Sequence, residues 1–262
     1  MLTFPQLPSG AQAQYPIKKR CVQRTIVNTL IDGRLISLAD PGAALSQWEV
    51  TYQNLADTEI AILQEFFATC EGQLNAFTFL DPLSNLLAWS EMLNESVWEA
   101  SSLLQMTANI SDPSGGTTAT RITNPTASDL TLQQTINGPG WFSYCFSLYA
   151  SSQSSVSFSL FLQAGTASIN TAYVLQSGWA RIHISTALNT TAGSLSAGIV
   201  IPAGQSVDVF GFQLEPQPVP SIYKRSLSSS GVHANAHLKD DAFAYTTSGP
   251  NNNSCSLTII AR

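Results

Sequence analysis

The chain has 262 residues, with 11 Lys+Arg against 17 Asp+Glu, a formal net charge of −6 and only 11% charged residues. That length allows one large core or two ordinary ones, and the mildly acidic balance argues against a nucleic-acid groove. Charge well below the roughly 25% of ordinary globular proteins means a polar surface built from Ser, Thr, Asn and Gln, as is common in β-rich proteins.

No apolar run approaches the ~18 residues needed to cross a bilayer as a helix, and Met1 to Gly10 has neither the basic start nor the apolar centre of a secretion signal. Cys21, Cys70, Cys145 and Cys255 form no C-x-x-C pair, and His183, His233 and His237 have no cysteine at ligand spacing, so a structural zinc site is not expected. In a reducing cytosol the thiols are expected to be free and buried as small apolar side chains. The sequons at Asn94, Asn109, Asn189 and Asn252 carry no weight without a secretory route.

In chain order, Lys18-Lys19-Arg20 is the only basic cluster, read as a solvated face or a subunit contact. Gln47 to Tyr52 alternates Trp48, Val50 and Tyr52 and predicts a strand. Asp57 to Glu71 repeats Ile60, Leu63, Phe67 and Cys70 at helical spacing, with Phe66 beside them and Gly72 as a stop. Asp57 and Glu59 fall in its first turn, where carboxylates suit the positive end of the helix dipole. Ala76 to Leu80 predicts a second strand, ended by Asp81-Pro82.

The texture then changes. From about residue 85 to 225 the chain consists of short alternating runs separated by Gly, Pro, Asn and Ser, which predicts a β-sandwich or jelly roll of eight or so strands. Trp141 to Ala150 sets Phe142, Tyr144, Phe146 and Leu148 against Ser143, Cys145, Ser147 and Tyr149. Val156 to Leu162 alternates likewise, and Trp179 to Ser185 sets Ala180, Ile182 and Ile184 against Trp179, Arg181 and His183. Val207 to Glu215 places Asp208, Phe210, Phe212 and Leu214 opposite Val207, Val209, Gly211, Gln213 and Glu215, after a Pro202-Ala203-Gly204-Gln205 turn.

Several ordered motifs carry a resemblance. Asp81 to Glu91, Trp98, Asp112-Pro113-Ser114-Gly115-Gly116-Thr117-Thr118-Ala119, Trp179-Ala180-Arg181, Gly211 to Glu215 and Pro220-Ser221-Ile222-Tyr223 resemble the carbohydrate-binding-module-like jelly rolls of phage tail and tail-fibre proteins. Phe210 departs from the Trp that such modules often carry before the glycine. The outer parts, Trp48 to Tyr52, Asn54 to Glu59, Phe66-Phe67 and Phe77 to Pro82, are similar to the tail-tube-like fold of phage minor and distal tail proteins. Leu238 to Phe243 and a last strand over Ser256 to Ala261 look like its continuation.

The resemblance implies a mainly β fold. Residues 1–84 and 226–262 would form a discontinuous tail-tube-like β barrel or sandwich with one helix, into which the jelly roll of 85–225 is inserted at an exposed turn. It further implies a virion subunit of the tail, or of a tail-like particle, assembled in the bacterial cytoplasm. Its partners would be copies of itself in a ring, other tail-tube and tail-tip proteins and host-surface glycan, with no sequence-specific nucleic acid and no membrane insertion.

Sugar binding needs aromatic faces and planar hydrogen-bonding groups, for which Trp179, Tyr149, Arg181, His183 and Gln213 are the candidates. Trp179 equally suits packed core, and Arg181 a carboxylate partner. Glu91 and Glu215 are expected near one another at the domain junction, as a structural pair or as ligands of a calcium ion. No Gly-x-Ser-x-Gly, Gly-x-x-x-x-Gly-Lys or His-Glu-x-x-His motif is present and no catalytic residue is assigned. A glycan-active enzyme, with Glu91 and Glu215 as paired carboxylates, or a free carbohydrate-binding accessory protein is the alternative.

Overall fold

The computed structural model describes residues 2–10 and 12–262; Met1 and Ala11 lie outside the described residues. The strands are β1 (Lys18–Thr29), β2 (Leu35–Leu55), β3 (Phe77–Leu80), β4 (Glu99–Ala100), β5 (Gln105–Ile110), β6 (Ala119–Thr123), β7 (Leu130–Asn137) and β8 (Ser143–Ser151). They continue as β9 (Val156–Ala164), β10 (Ala167–Leu175), β11 (Ala180–Ala187), β12 (Ser194–Ile201), β13 (Ser206–Glu215), β14 (Val232–Leu238), β15 (Tyr245–Gly249) and β16 (Asn252–Ala261). The helix α1 spans Asp57–Cys70. Two compact units result, Met1–Phe79 with His233–Arg262, and Leu80–Val232.

In the first unit the sheet order is β1-β2-β16-β14-β3, with β15 paired to β16. The sheet ends at β1 and β3, so no barrel closes. Trp48, Val50 and Tyr52 of β2 register with Ile259, Leu257 and Cys255 of β16, and all six side chains are buried. The last strand of the chain thus completes a core begun some two hundred residues earlier.

Against this layer α1 presents Ile60, Leu63, Phe66 and Cys70. Phe66 meets Phe4 edge-on at 5.3 Å and Phe77 at 5.0 Å between ring centroids. Phe67, expected on the buried stripe, is only half-buried and packs 5.8 Å from Phe243. A spacing of three, three and four residues carries the stripe through Phe66, because the helix lies with its 60-63-66-70 ridge on the sheet.

Both ends of α1 are closed by specific contacts. Glu59 accepts the backbone N–H of Ala56 at 3.1 Å and of Ser9 at 3.3 Å. Burial pulls its carboxyl up, but the bonds from Ser9 and Ala56 outweigh this and hold it below the usual carboxylate range. At the other end Glu71 and Gly72 both turn left-handed, with φ of 50° and 66°. A Cβ on Gly72 would sit 2.5 Å from Asp241 Oδ1, so the stop read from the sequence is a place where only glycine fits.

The sequence predicts no strand before Gln47, yet β1 and the first half of β2 form a long hairpin whose β1 residues are all exposed. Its turn is set by Gly33, with φ of 82°, and by Arg34 N–H donating to Asp32 Oδ1 at 3.1 Å. Exposure on both faces removes the in-out alternation that makes a strand visible in sequence. Cys21 lies on this hairpin and is exposed, contrary to the expectation for the cysteines, while Cys70, Cys145 and Cys255 are buried and free.

The second unit is a jelly-roll sandwich of ten strands, in sheets ordered β10-β9-β12-β7-β4 and β11-β8-β13-β6-β5. Phe142, Tyr144, Phe146 and Leu148 point inward as expected, together with Phe158, Leu160, Ile199 and Phe212. On β13 the expected alternation fails. Val207 and Val209 face the core, but so do Phe212 and Leu214, because the register shifts between Phe210 and Gln213 at Gly211, with φ of 68°. This bulge turns Phe210 to the opposite face from Phe212.

Truncation of Phe66 to alanine is expected to cost about 3–5 kcal/mol and that of Phe67 about 1–2 kcal/mol. Urea unfolding of the two variants side by side checks which ring the core depends on.

Candidate functional site

The outward face of the β11-β8-β13 sheet carries the residues singled out from the sequence. Register pairs Arg181 with Tyr149 and His183 with Ser147. The Arg181 guanidinium carbon lies 5.6 Å from the Tyr149 ring centroid, and its Nη2 donates to Ser147 Oγ at 3.1 Å. Tyr149 in turn lies 6.0 Å from Phe210, and Phe210 5.3 Å from Tyr223. A row of one cation and three rings therefore crosses the face.

The chain itself covers one end of that row. After β13, residues 216–226 fold back as a strap over Phe210, Gln213 and Glu215. The Tyr223 ring closes on Gly211, where a Cβ would come within 3.2 Å of it. Gln213, expected as a sugar ligand, is fully buried: its Oε1 accepts Lys224 N–H at 2.5 Å and its Nε2 donates to Ile222 O at 3.4 Å. The bulge at Gly211 brings it there, and its hydrogen-bonding capacity goes to holding the strap.

Beyond the strap the face is open. Tyr149, Arg181 and Trp179 are half-buried and His183 is exposed. Trp179 stands just before β11, so its position is fixed less by the ladder than that of Arg181. Tyr173 donates its hydroxyl to His183 O. Arg181 Nε is buried and meets no acceptor among the described residues, leaving an unsatisfied donor in this face.

Glu91 and Glu215 are both held by the strap, through successive residues. Glu215 is fully buried, accepting Ser221 N–H at 2.9 Å and pairing with Lys224 Nζ at 3.1 Å. Glu91 pairs with Arg225 Nε at 3.0 Å and accepts the Tyr223 hydroxyl at 3.0 Å. Each carboxylate thus has a lysine or arginine of its own. Among the described residues no three His, Cys, Asp or Glu side chains come close enough to hold a metal. Lys224 and Arg225, which the sequence reading passed over, announce themselves only as two cations after a Pro-Ser-Ile-Tyr turn.

No protein-family model and no curated protein matches the chain. Among solved structures it is similar to the CBM22-1 xylan-binding domain of Paenibacillus barcinonensis Xyn10C, at 12% identity over 52% of this chain and 96% of that one, with a TM-score of 0.41. TmCBM61 in complex with β-1,4-galactotriose is similar at 16% identity over 51% and 99%, with a TM-score of 0.39. The enzymatically active domain of tailspike protein 4 of bacteriophage CBA120 is similar at 11% identity and a TM-score of 0.41 over 52% of this chain, which spans 22% of that one. Similarity this shallow assigns neither a ligand nor an activity to this chain.

Gly211→Ala is expected to destabilise the protein by about 1–3 kcal/mol, through left-handed backbone strain and displacement of Tyr223. Thermal unfolding combined with proteolysis of the strap checks it, since release of residues 216–226 should expose Lys224 and Arg225 to trypsin before global unfolding.

Proposed function

We propose that this chain is a structural subunit of a tail-like particle, whose first unit assembles into a ring with copies of itself and whose jelly roll binds surface glycan. The observation that carries this reading is the β1–β2 hairpin. Arg24/Asp40, Ile26/Leu38 and Asn28/Ile36 share one of its faces by register. Ile26, Leu38 and Ile36 are 42%, 51% and 42% exposed, with Leu30 at 40% near the turn. A two-stranded ribbon is marginal in water without a layer to pack on, and a contiguous exposed apolar stripe marks an interaction surface. Seven of the register pairs, from Val22/Leu45 to Thr29/Leu35, lie beyond the part of β2 that β16 borders, and at ~3.3 Å per residue they make an arm of roughly 25 Å, long enough to meet a neighbouring subunit.

Glycan binding is supported by the open half of the sheet face. A ring stacked under a guanidinium, with an exposed imidazole two residues along the same strand, provides an aromatic face and planar donors on neighbouring strands. Single sugar contacts are weak, so one site is expected in the millimolar to micromolar range, with ring copies acting together. Binding is favoured over hydrolysis because Glu91 and Glu215 are each tied to a strap cation, whereas a glycosidase holds two carboxylates free at one bond.

For assembly, the wild-type protein is expected to form closed rings in electron micrographs and sedimentation. Ile26→Asp combined with Leu38→Asp is expected to leave a folded monomer, and a wild type that stays monomeric at high concentration contradicts the ring. For glycan, Tyr149→Ala is expected to weaken retention on bacterial surface polysaccharide at least about tenfold with an unchanged melting temperature. Retention equal to wild type removes the face from consideration, and release of reducing ends from the polysaccharide would favour the enzyme.

A further inference from the structure

We propose that the jelly roll holds a second binding site, a cleft beside β5 and β6 that takes a single neutral sugar residue. It is separate from the Tyr149–Arg181 face and stands whether or not that face binds glycan. The cleft encloses about 400 Å³, inside the range of roughly 300–1,000 Å³ usual for small-molecule sites.

Its lining combines two chemistries. Met92, Leu93, Met106 and Ala108 supply apolar lining, with Leu93 buried and Met106 half-buried, while Asn94, Asn109 and Thr117 stand exposed in the lining with no partner for their side chains among the described residues. Arg225 and Glu91 also line the cleft, paired through Nε at 3.0 Å, with the Arg225 side chain 56% exposed.

That arrangement selects a ligand class. A free anion meets Glu91 and a free cation meets Arg225, and each would have to break a pair already made. A wholly apolar molecule would desolvate two amides and a hydroxyl without replacing their hydrogen bonds, which is costly. A neutral ligand with an apolar C–H face and several hydroxyls satisfies both halves: the C–H face lies on the methionines, which adapt to irregular shapes, and the hydroxyls meet the amides and the guanidinium.

The wall that carries Thr117 is fixed before any ligand arrives. Asp112 accepts Thr118 N–H at 3.1 Å and Oγ1–H at 3.0 Å, Gly116 N–H at 3.0 Å and Ser114 N–H at 2.8 Å. A Cβ on Gly116 would come 2.5 Å from Asp112 Oδ2, so the Gly-Gly of this loop is what lets the backbone wrap one carboxylate. The Thr118 bonds, with those from Gly116 and Ser114, hold Asp112 below the usual carboxylate range, and the loop therefore stays closed around a charged side chain at neutral pH. Asn109 sits at φ of 63° on the bulged part of β5, a conformation asparagine tolerates.

Saturation-transfer NMR on the full chain with methyl β-glucoside, methyl β-galactoside and N-acetylglucosamine tests the site. At least one of the three is expected to bind in the millimolar range. Asn94→Ala combined with Asn109→Gly removes two exposed side chains while glycine keeps the left-handed φ of position 109, and is expected to weaken that binding about tenfold or more. Met106→Lys, in the apolar lining, is expected to abolish it, whereas Tyr149→Ala leaves it unchanged. Absence of transfer from all three sugars overturns the proposal. Wild-type binding in the Asn94/Asn109 double variant also overturns it, and loss on Tyr149→Ala alone assigns the binding to the sheet face instead.

Discussion

One buried side-chain amide holds the ends of the jelly roll together, and the strap, the covered end of the aromatic row and the cleft all depend on it. Asn85 is 3% exposed; its Oδ1 accepts the N–H groups of Leu87 and Leu214, each at 3.1 Å. Its Nδ2 donates to Phe212 O at 2.7 Å and to Lys224 O at 3.2 Å. The first segment of the domain, its last strand and the returning strap thereby meet at one group. Loss of that group would orphan several buried backbone atoms, each worth about 1–3 kcal/mol. The backbone closes the same point, with Gly231 N–H donating to Asn85 O at 2.7 Å and Asp81 N–H to Gly231 O at 2.8 Å.

From that closure the functional surfaces follow in order. Because Lys224 is tied to Asn85 and Gln213, Tyr223 is placed on Gly211 and Phe210, and the covered end of the aromatic row is defined. Because Arg225 is the next residue, its guanidinium reaches Glu91 and lines the cleft. The strap therefore closes one candidate surface and builds another. Its charged pairs are only partly buried on the cationic side, with Lys224 26% and Arg225 56% exposed, so their worth lies in geometry more than in stability.

The first unit works by a different constraint. Its core needs β16 from the far end of the chain beside β2, and this is why the two pieces fold as one unit despite the long segment between them. The hairpin is the part that this core does not explain. Its aliphatic residues are exposed and take no part in the core that β2 and β16 share.

The sequence by itself determined those features in which one residue type answers to one local demand. The period of two on β8 and β11, the helix ended at Gly72, and the bare Asp-Pro break after β3 were legible because burial on one face leaves a regular trace. The likeness of the Asp81–Glu91 and Gly211–Glu215 motifs to jelly-roll modules marked the segments that meet at Asn85. The tertiary structure alone decided the rest. A one-residue bulge at Gly211 put Phe210 and Phe212, which alternation sets on one face, on opposite faces and turned Gln213 and Glu215 toward the strap, an effect that alternation cannot register because it assumes an unbroken ladder. Phe66 took the place expected of Phe67 because the tilt of α1 on its sheet selects among adjacent apolar residues. The cleft drew Met92, Met106, Asn109, Thr117 and Arg225 from four separate segments, and no spacing along a chain encodes a meeting that only packing brings about.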